Sequence, residues 1–134
     1  MMQDWLLPYT STISSLGAAG VLLLVQLVVL DVAGIRAKHP PGMPIAADSS
    51  NFLFRASRAH GNTLESIAAF VLFAVYGIFS GASHSGLGAA AWTWVGARVA
   101  HMLFYYAGVP LARSAAFIVS MLALVAMFVF GLVA

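Results

Sequence analysis

The stretch Arg55-Ala-Ser-Arg58-Ala-His60-Gly-Asn62-Thr-Leu-Glu65 runs directly into Ser66-Ile-Ala-Ala-Phe70-Val-Leu-Phe-Ala-Val-Tyr76-Gly-Ile-Phe79. Its first half is polar, its second half is apolar, and no proline interrupts it. At about 100° per residue of helix, Arg55, Arg58, Asn62 and Glu65 fall within an arc of roughly 80°. His60 points well away from that stripe. Four polar groups on one face of an otherwise lipid-compatible helix need a polar partner surface, because a polar group left unpaired in hydrocarbon costs several kilocalories.

The rest of the chain shares this character. Of its 134 residues 62% are hydrophobic and 7% are charged, and the mean hydropathy is +0.97. Soluble domains carry about a quarter charged residues. So few charges cannot cover a folded surface in water, and the fitting solvent is a bilayer. A spanning helix needs roughly 20 mostly apolar residues. On that measure a single domain over 1–134 is expected to have spans at about 13–35, 55–79, 87–107 and 111–134, the second helix beginning near Phe52. The fold class is therefore all-α, an integral membrane four-helix bundle. Pro40, Pro41 and Pro44 place the first connection outside the hydrocarbon. Ser80 to Gly86 forms a small-residue turn, and Gly108-Val109-Pro110 breaks the third span from the fourth. Gln26 and Asp31 are the only interruptions of the first span. Met1 to Thr10 carries Asp4 and no basic residue, unlike the start of a cleaved signal peptide, so the first apolar segment reads as a retained span.

Charge and cysteine usage exclude several functions. A formal charge of +2 is too small for a nucleic-acid partner. The absence of cysteine removes disulfides, thiolate metal sites and a protein-borne redox thiol, so any thiol chemistry must arrive with a substrate. The four histidines have no metal-ligand spacing, and no metal is expected. Arg36, Lys38, Arg55 and Arg58 surround the first connection and Arg113 follows the third. The N-terminus and second turn carry no Lys or Arg. Basic residues favour the cytoplasmic side, which puts both termini outside the cytoplasm.

The third span repeats the polar arrangement of the second. Trp94, Arg98, His101 and Tyr105 share one face, with Arg98 near mid-span. Glu65 is the only carboxylate inside an apolar helix besides Asp31, so a Glu65–Arg98 or Glu65–Arg58 pair is expected. One carboxylate compensates only one of three nearby arginines. The excess suits a small anionic ligand gripped by guanidinium forks. Tyr105 supplies a hydroxyl for a developing anion, and arginine and tyrosine donors in a dry site also favour thiolate over thiol. Plainer readings stand beside this one. Arg55 and Arg58 also read as topology charges that snorkel to the headgroups, and Arg98, Asn62 and Glu65 as glue between helices. His60 reads as a packing residue.

The segment Arg58-Ala-His60-Gly-Asn62-Thr-Leu-Glu65 resembles the second-helix signature of the MAPEG superfamily, the membrane-associated proteins in eicosanoid and glutathione metabolism. Ala97-Arg98-Val-Ala-His101-Met-Leu-Phe-Tyr105, followed by a turn and Arg113-Ser114, resembles that family's later motif. The similarity covers about Asp31 to Phe117 and looks closer to the bacterial members than to the mammalian synthases.

The resemblance implies a homotrimer in membrane lipid, with glutathione as co-substrate bound between subunits near the cytoplasmic face. Arg58, Asn62 and Glu65 would hold it from the second helix, Arg98, His101 and Tyr105 from the third, and Arg113 from the fourth. Arg113 would activate the thiol, with Tyr105 and Ser114 as further catalytic candidates, and Arg36 would reach a neighbour's glutathione. The implied activity is a glutathione-dependent transferase or peroxidase in a bacterial inner membrane, attacking lipophilic electrophiles as the thiolate. Gly61 stands where the synthases carry a further arginine, and Phe117 where they offer a tyrosine hydroxyl. Both departures favour the alternative, a non-catalytic scaffold or small-anion binding protein. A transporter fits less well, because the polar residues gather toward one side of the membrane.

Overall fold

A computed structural model describes residues 3–134, and all regular structure among them is helical. A 3-10 helix, Asp4–Tyr9, leads into α1 (Thr10–Arg36), followed by α2 (Phe52–Ser80), α3 (His84–Ala107) and α4 (Pro110–Leu132). At 1.5 Å rise per residue, α1 and α2 are each about 40 Å long. That exceeds the roughly 30 Å of hydrocarbon in a bilayer, so their ends stand among the headgroups.

Segments 4–36, 52–80 and 110–132 are long and apolar enough to cross a membrane. α3 is as long as α4 but less apolar, because Arg98, His101, Trp92 and Trp94 lie in it. Three of those four side chains are covered by the bundle: Trp94 and Arg98 are wholly buried and His101 nearly so. The lipid-compatible surface comes instead from residues such as Val21 and Leu24 on α1, Leu72 and Phe79 on α2, and Leu111 and Leu122 on α4, all exposed.

Short polar signals set the helix ends. The Asn51 side chain accepts the Leu53 amide at the start of α2, and the Ser83 hydroxyl accepts the Gly86 amide at the start of α3. α2 and α3 each end on a left-handed glycine, Gly81 at φ +76° and Gly108 at φ +71°. Glycine adopts that conformation without steric cost, and the amides that follow return to the last turn: Ala82 N–H to Gly77 O and Val109 N–H to Phe104 O, both 2.9 Å. Pro110 then starts α4, where its missing N–H costs nothing. Within the first connection, the Ser50 hydroxyl and amide both donate to the Asp48 carboxylate, holding it below the usual carboxylate range.

The core lies toward the end that carries the N-terminus and the α2–α3 turn. Phe70 of α2 stacks on Trp94 of α3 with ring centroids 4.1 Å apart, surrounded by Ala74, Leu87, Leu124 and Met127. Close approach is made through glycine. A Cβ on Gly131 would stand 2.6 Å from the Tyr76 ring, and one on Gly77 would stand 2.7 Å from Leu87. Two bonds clasp this end of the bundle: the buried Tyr9 hydroxyl donates to Ala82 O at 2.8 Å, and the Trp92 indole to Ser11 O at 3.0 Å. The opposite end, formed by the first connection and the α3–α4 turn, carries Arg36, Lys38, Arg55, Arg58 and Arg113. Between the ends, Gln26 of α1 is fully buried and its amide donates to the Thr63 hydroxyl at 3.1 Å.

Candidate functional site

The polar stripe of α2 faces that of α3, and the two meet at Arg98. This arginine is wholly buried, and its Nη1 donates to Asn62 Oδ1 at 2.6 Å. Asn62 Nδ2 in turn donates to Glu65 Oε2 at 3.3 Å. The direct Glu65–Arg98 or Glu65–Arg58 pair expected from composition is replaced by a relay through the Asn62 amide. Asn62 and Glu65 lie three residues apart on one face of α2. Asn62 points inward to Arg98 while Glu65 remains exposed. The rest of the Arg98 guanidinium lies near aromatic faces, 5.4 Å from the Phe117 ring and 5.7 Å from that of Trp94. Its Nε and Nη2 are buried and have no hydrogen-bond partner among the described residues. A buried cation with two free donors favours an acceptor beside it.

His101, one turn beyond Arg98, is also buried, and its Nδ1 has no partner among the described residues. Its ring stands edge-on to Tyr105 at 5.0 Å. On α4, the Arg113 guanidinium lies over the Tyr105 ring, 4.5 Å from its centroid. Arg113 can sit there because the α3–α4 turn is tight. Only Gly108 and Val109 separate α3 from α4, and the Arg113 amide donates to Val109 O at 3.1 Å.

Two hollows meet at the Tyr105–Arg113 pair. One, about 350 Å³, is lined by Asn62, His101, Tyr105, Arg113, Ser114 and Phe117. The other, about 360 Å³, is lined by Phe54, Arg55, Arg58, Phe104, Tyr105 and Arg113 among others. Each falls in the volume range of small-molecule sites, roughly 300–1,000 Å³. The structure thus brings most of the sequence-derived candidates together. Asn62, His101, Tyr105, Arg113 and Ser114 share the first hollow, and Arg58 joins Tyr105 and Arg113 in the second. Arg98 and Glu65 line neither hollow: Arg98 is buried against Asn62 and Phe117, and Glu65 is exposed and accepts from Asn62. The Ser114 hydroxyl donates to Pro110 O at 3.0 Å, so it faces the ligand space as an acceptor only.

Arg36 stands apart within the single chain. It lines a separate, largely apolar hollow of about 510 Å³ with Val28, Val32, Phe52 and Leu53. Arg55 reads from the sequence both as a member of the α2 polar stripe and as a topology charge, and in the structure it lines the second hollow. Gly61 faces open space, and a Cβ there would meet nothing within 4 Å.

The chemistry of this arrangement follows from its charges. Arg58 and Arg113 line the second hollow and Arg113 the first, the buried Arg98 guanidinium stands behind Asn62, and Tyr105 belongs to both linings. Such a site can hold a small molecule bearing carboxylates and stabilise an anion forming beside Arg113. The model of the MAPEG family matches residues 12–133 of the chain. No solved structure matches it.

Proposed function

The chain belongs to the MAPEG family, and from that premise we propose that it is a glutathione-dependent transferase or peroxidase acting on lipophilic electrophiles. The observation that carries this reading is the buried Arg98, whose Nε and Nη2 have no partner among the described residues while its Nη1 is relayed through Asn62 to Glu65. An anionic peptide with two carboxylates is the kind of ligand such a surplus favours.

In this reading Arg58, Arg98, Asn62, Glu65 and His101 orient glutathione, and Arg113 with Tyr105 stabilises its thiolate. The thiol proton leaves to solvent. The sulfur then forms a bond to the electrophilic carbon, and the leaving group departs with the electrons of the broken bond. Acting as a peroxidase, the thiolate takes the distal oxygen of a hydroperoxide and releases an alcohol. A second glutathione then yields glutathione disulfide and water. The protein assembles as a homotrimer, with Arg36 directed to a neighbour's glutathione and the lipophilic substrate entering from lipid. It resides in a bacterial inner membrane with both termini periplasmic, which leaves the arginine end facing the cytosolic glutathione pool.

The test is made on purified protein in detergent. Glutathione should raise the melting temperature saturably and support conjugation of chlorodinitrobenzene. Arg113→Ala should lower turnover by about 100-fold, as loss of one anion-stabilising donor does. Absence of both the shift and turnover in the wild-type protein sinks the proposal. A second reading, an anion-binding scaffold, is favoured by the Phe117 ring over Arg98 and the open space at Gly61. A thermal shift with glutathione but no turnover of any electrophile selects it.

A further inference from the structure

Arg55 stands one turn before Arg58 on α2 and lines the same hollow, yet its guanidinium is turned toward backbone. Nη1 donates to Ser49 O and Ser50 O, each at 3.0 Å, and Nη2 donates to Tyr106 O at 3.3 Å. Ser49 and Ser50 lie near the end of the first connection, just before the Asn51 cap of α2. Tyr106 lies in the last turn of α3, whose carbonyls have no partner within the helix. That helix end also carries partial negative charge, which suits a cation. Gly108 packs on the same side chain, where a Cβ would stand 3.8 Å from Arg55 Nε. The Phe52 and Tyr106 rings, 5.4 Å apart, close the contact from the other side.

One guanidinium therefore joins the start of α2 to the corner where α3 becomes α4. Among the described residues it is the only side-chain hydrogen bond that does so. Tyr105 is the residue before Tyr106, and Arg113 leaves the corner in the first turn of α4. Both members of the Arg113–Tyr105 pair are thus placed relative to Arg58 and Asn62 by where this corner sits.

We infer that Arg55 is a positioning residue, which fixes the α3–α4 corner against α2 and so sets where the Arg113 guanidinium stands over a bound thiol. It acts through Arg113 and does not touch the thiol. The functional half of the inference rests on the proposed glutathione chemistry; the clamp itself does not. Arginine suits the task because its planar fork reaches acceptors in two directions, whereas a lysine ammonium is a compact point charge.

Two measurements on Arg55→Gln and on the charge-conserving Arg55→Lys decide the matter. The first is amide hydrogen exchange over residues 106–112 in micelles without ligand. Exchange there should quicken by about tenfold in Arg55→Gln, the worth of one hydrogen bond to a charged group. Unchanged exchange overturns the clamp, whatever glutathione does. The second is the pH dependence of glutathione turnover. With Arg113 displaced, the bound thiol ionises less readily, so the rising limb should move up by about one pH unit while KM for glutathione stays within about twofold. Arg55→Lys should fall between wild type and Arg55→Gln, and it carries the test if Arg55→Gln does not fold. A variant that melts earlier but keeps the wild-type pH profile overturns the positioning role and leaves Arg55 purely structural. A wild-type protein without glutathione turnover overturns the proposed function together with the thiol half of the inference, and the exchange measurement then decides the clamp alone.

Discussion

Arg98 and Asn62 meet at 2.6 Å across the α2–α3 interface, the arginine wholly buried and the amide passing its other end to Glu65. Asn62 is thus the one hydrogen-bond acceptor that this buried guanidinium has among the described residues. Asn62→Leu should destabilise the protein by about 2 kcal/mol, because it leaves a charged donor without its oxygen. Unfolding in mixed micelles checks this, and an unchanged midpoint would mean that water already serves Arg98.

Arg98→Met separates stability from binding. Removing the buried guanidinium also removes its desolvation cost, and the partner it leaves behind is the neutral Asn62 amide and not an uncompensated charge. The melting temperature should stay within a few degrees of wild type while the glutathione-induced shift disappears. A large drop in melting temperature with the shift retained would make Arg98 glue between helices, as the plainer sequence reading has it.

Tyr105 offers a ring beneath Arg113 and a hydroxyl beside it, and two substitutions part these roles. Tyr105→Phe keeps the ring 4.5 Å below the guanidinium and should lower turnover only several-fold, as the loss of one neutral donor does. Tyr105→Leu removes the ring as well and should approach the roughly 100-fold loss expected of Arg113→Ala. Equal losses in the two variants would assign the whole effect to the hydroxyl.

Gly131 tests the packing at the other end of the bundle. A Cβ there would stand 2.6 Å from the Tyr76 ring and 3.4 Å from the Gly77 backbone. Gly131→Ala should therefore cost about 1–3 kcal/mol, the usual range for overpacking. A stability equal to wild type would show that Tyr76 swings aside freely.

The helices were legible because their signals are local. Apolar length marked all four helices, Gly108-Val109-Pro110 marked the corner, and the polar stripes on α2 and α3 follow from helical periodicity alone. The first helix starts earlier than the apolar run indicates, at Thr10, since the 3-10 helix accommodates Pro8 and delivers the chain already turned. α3 also starts earlier, at His84, because Ser83 caps it. Partners across helices were harder to read. Periodicity puts Arg98, Asn62 and Glu65 on facing surfaces, but which one touches the arginine depends on side-chain reach and axial offset between helices, and there Asn62 prevails. Gln26 read as an interruption of a span and is instead bonded to Thr63. The contacts of Arg55 were not legible, because its main acceptors are backbone carbonyls, which a sequence does not distinguish.

The modest apolarity of α3 bears on how the protein enters its membrane. An arginine at the centre of a lone helix costs roughly 2.5–3.5 kcal/mol on insertion. The side-chain acceptor that relieves it, Asn62, belongs to the preceding helix, and only the three residues 81–83 separate the two. The hairpin of α2 and α3 is therefore the natural unit of biogenesis, with the newly made third helix leaving the translocation machinery beside the second, already matched.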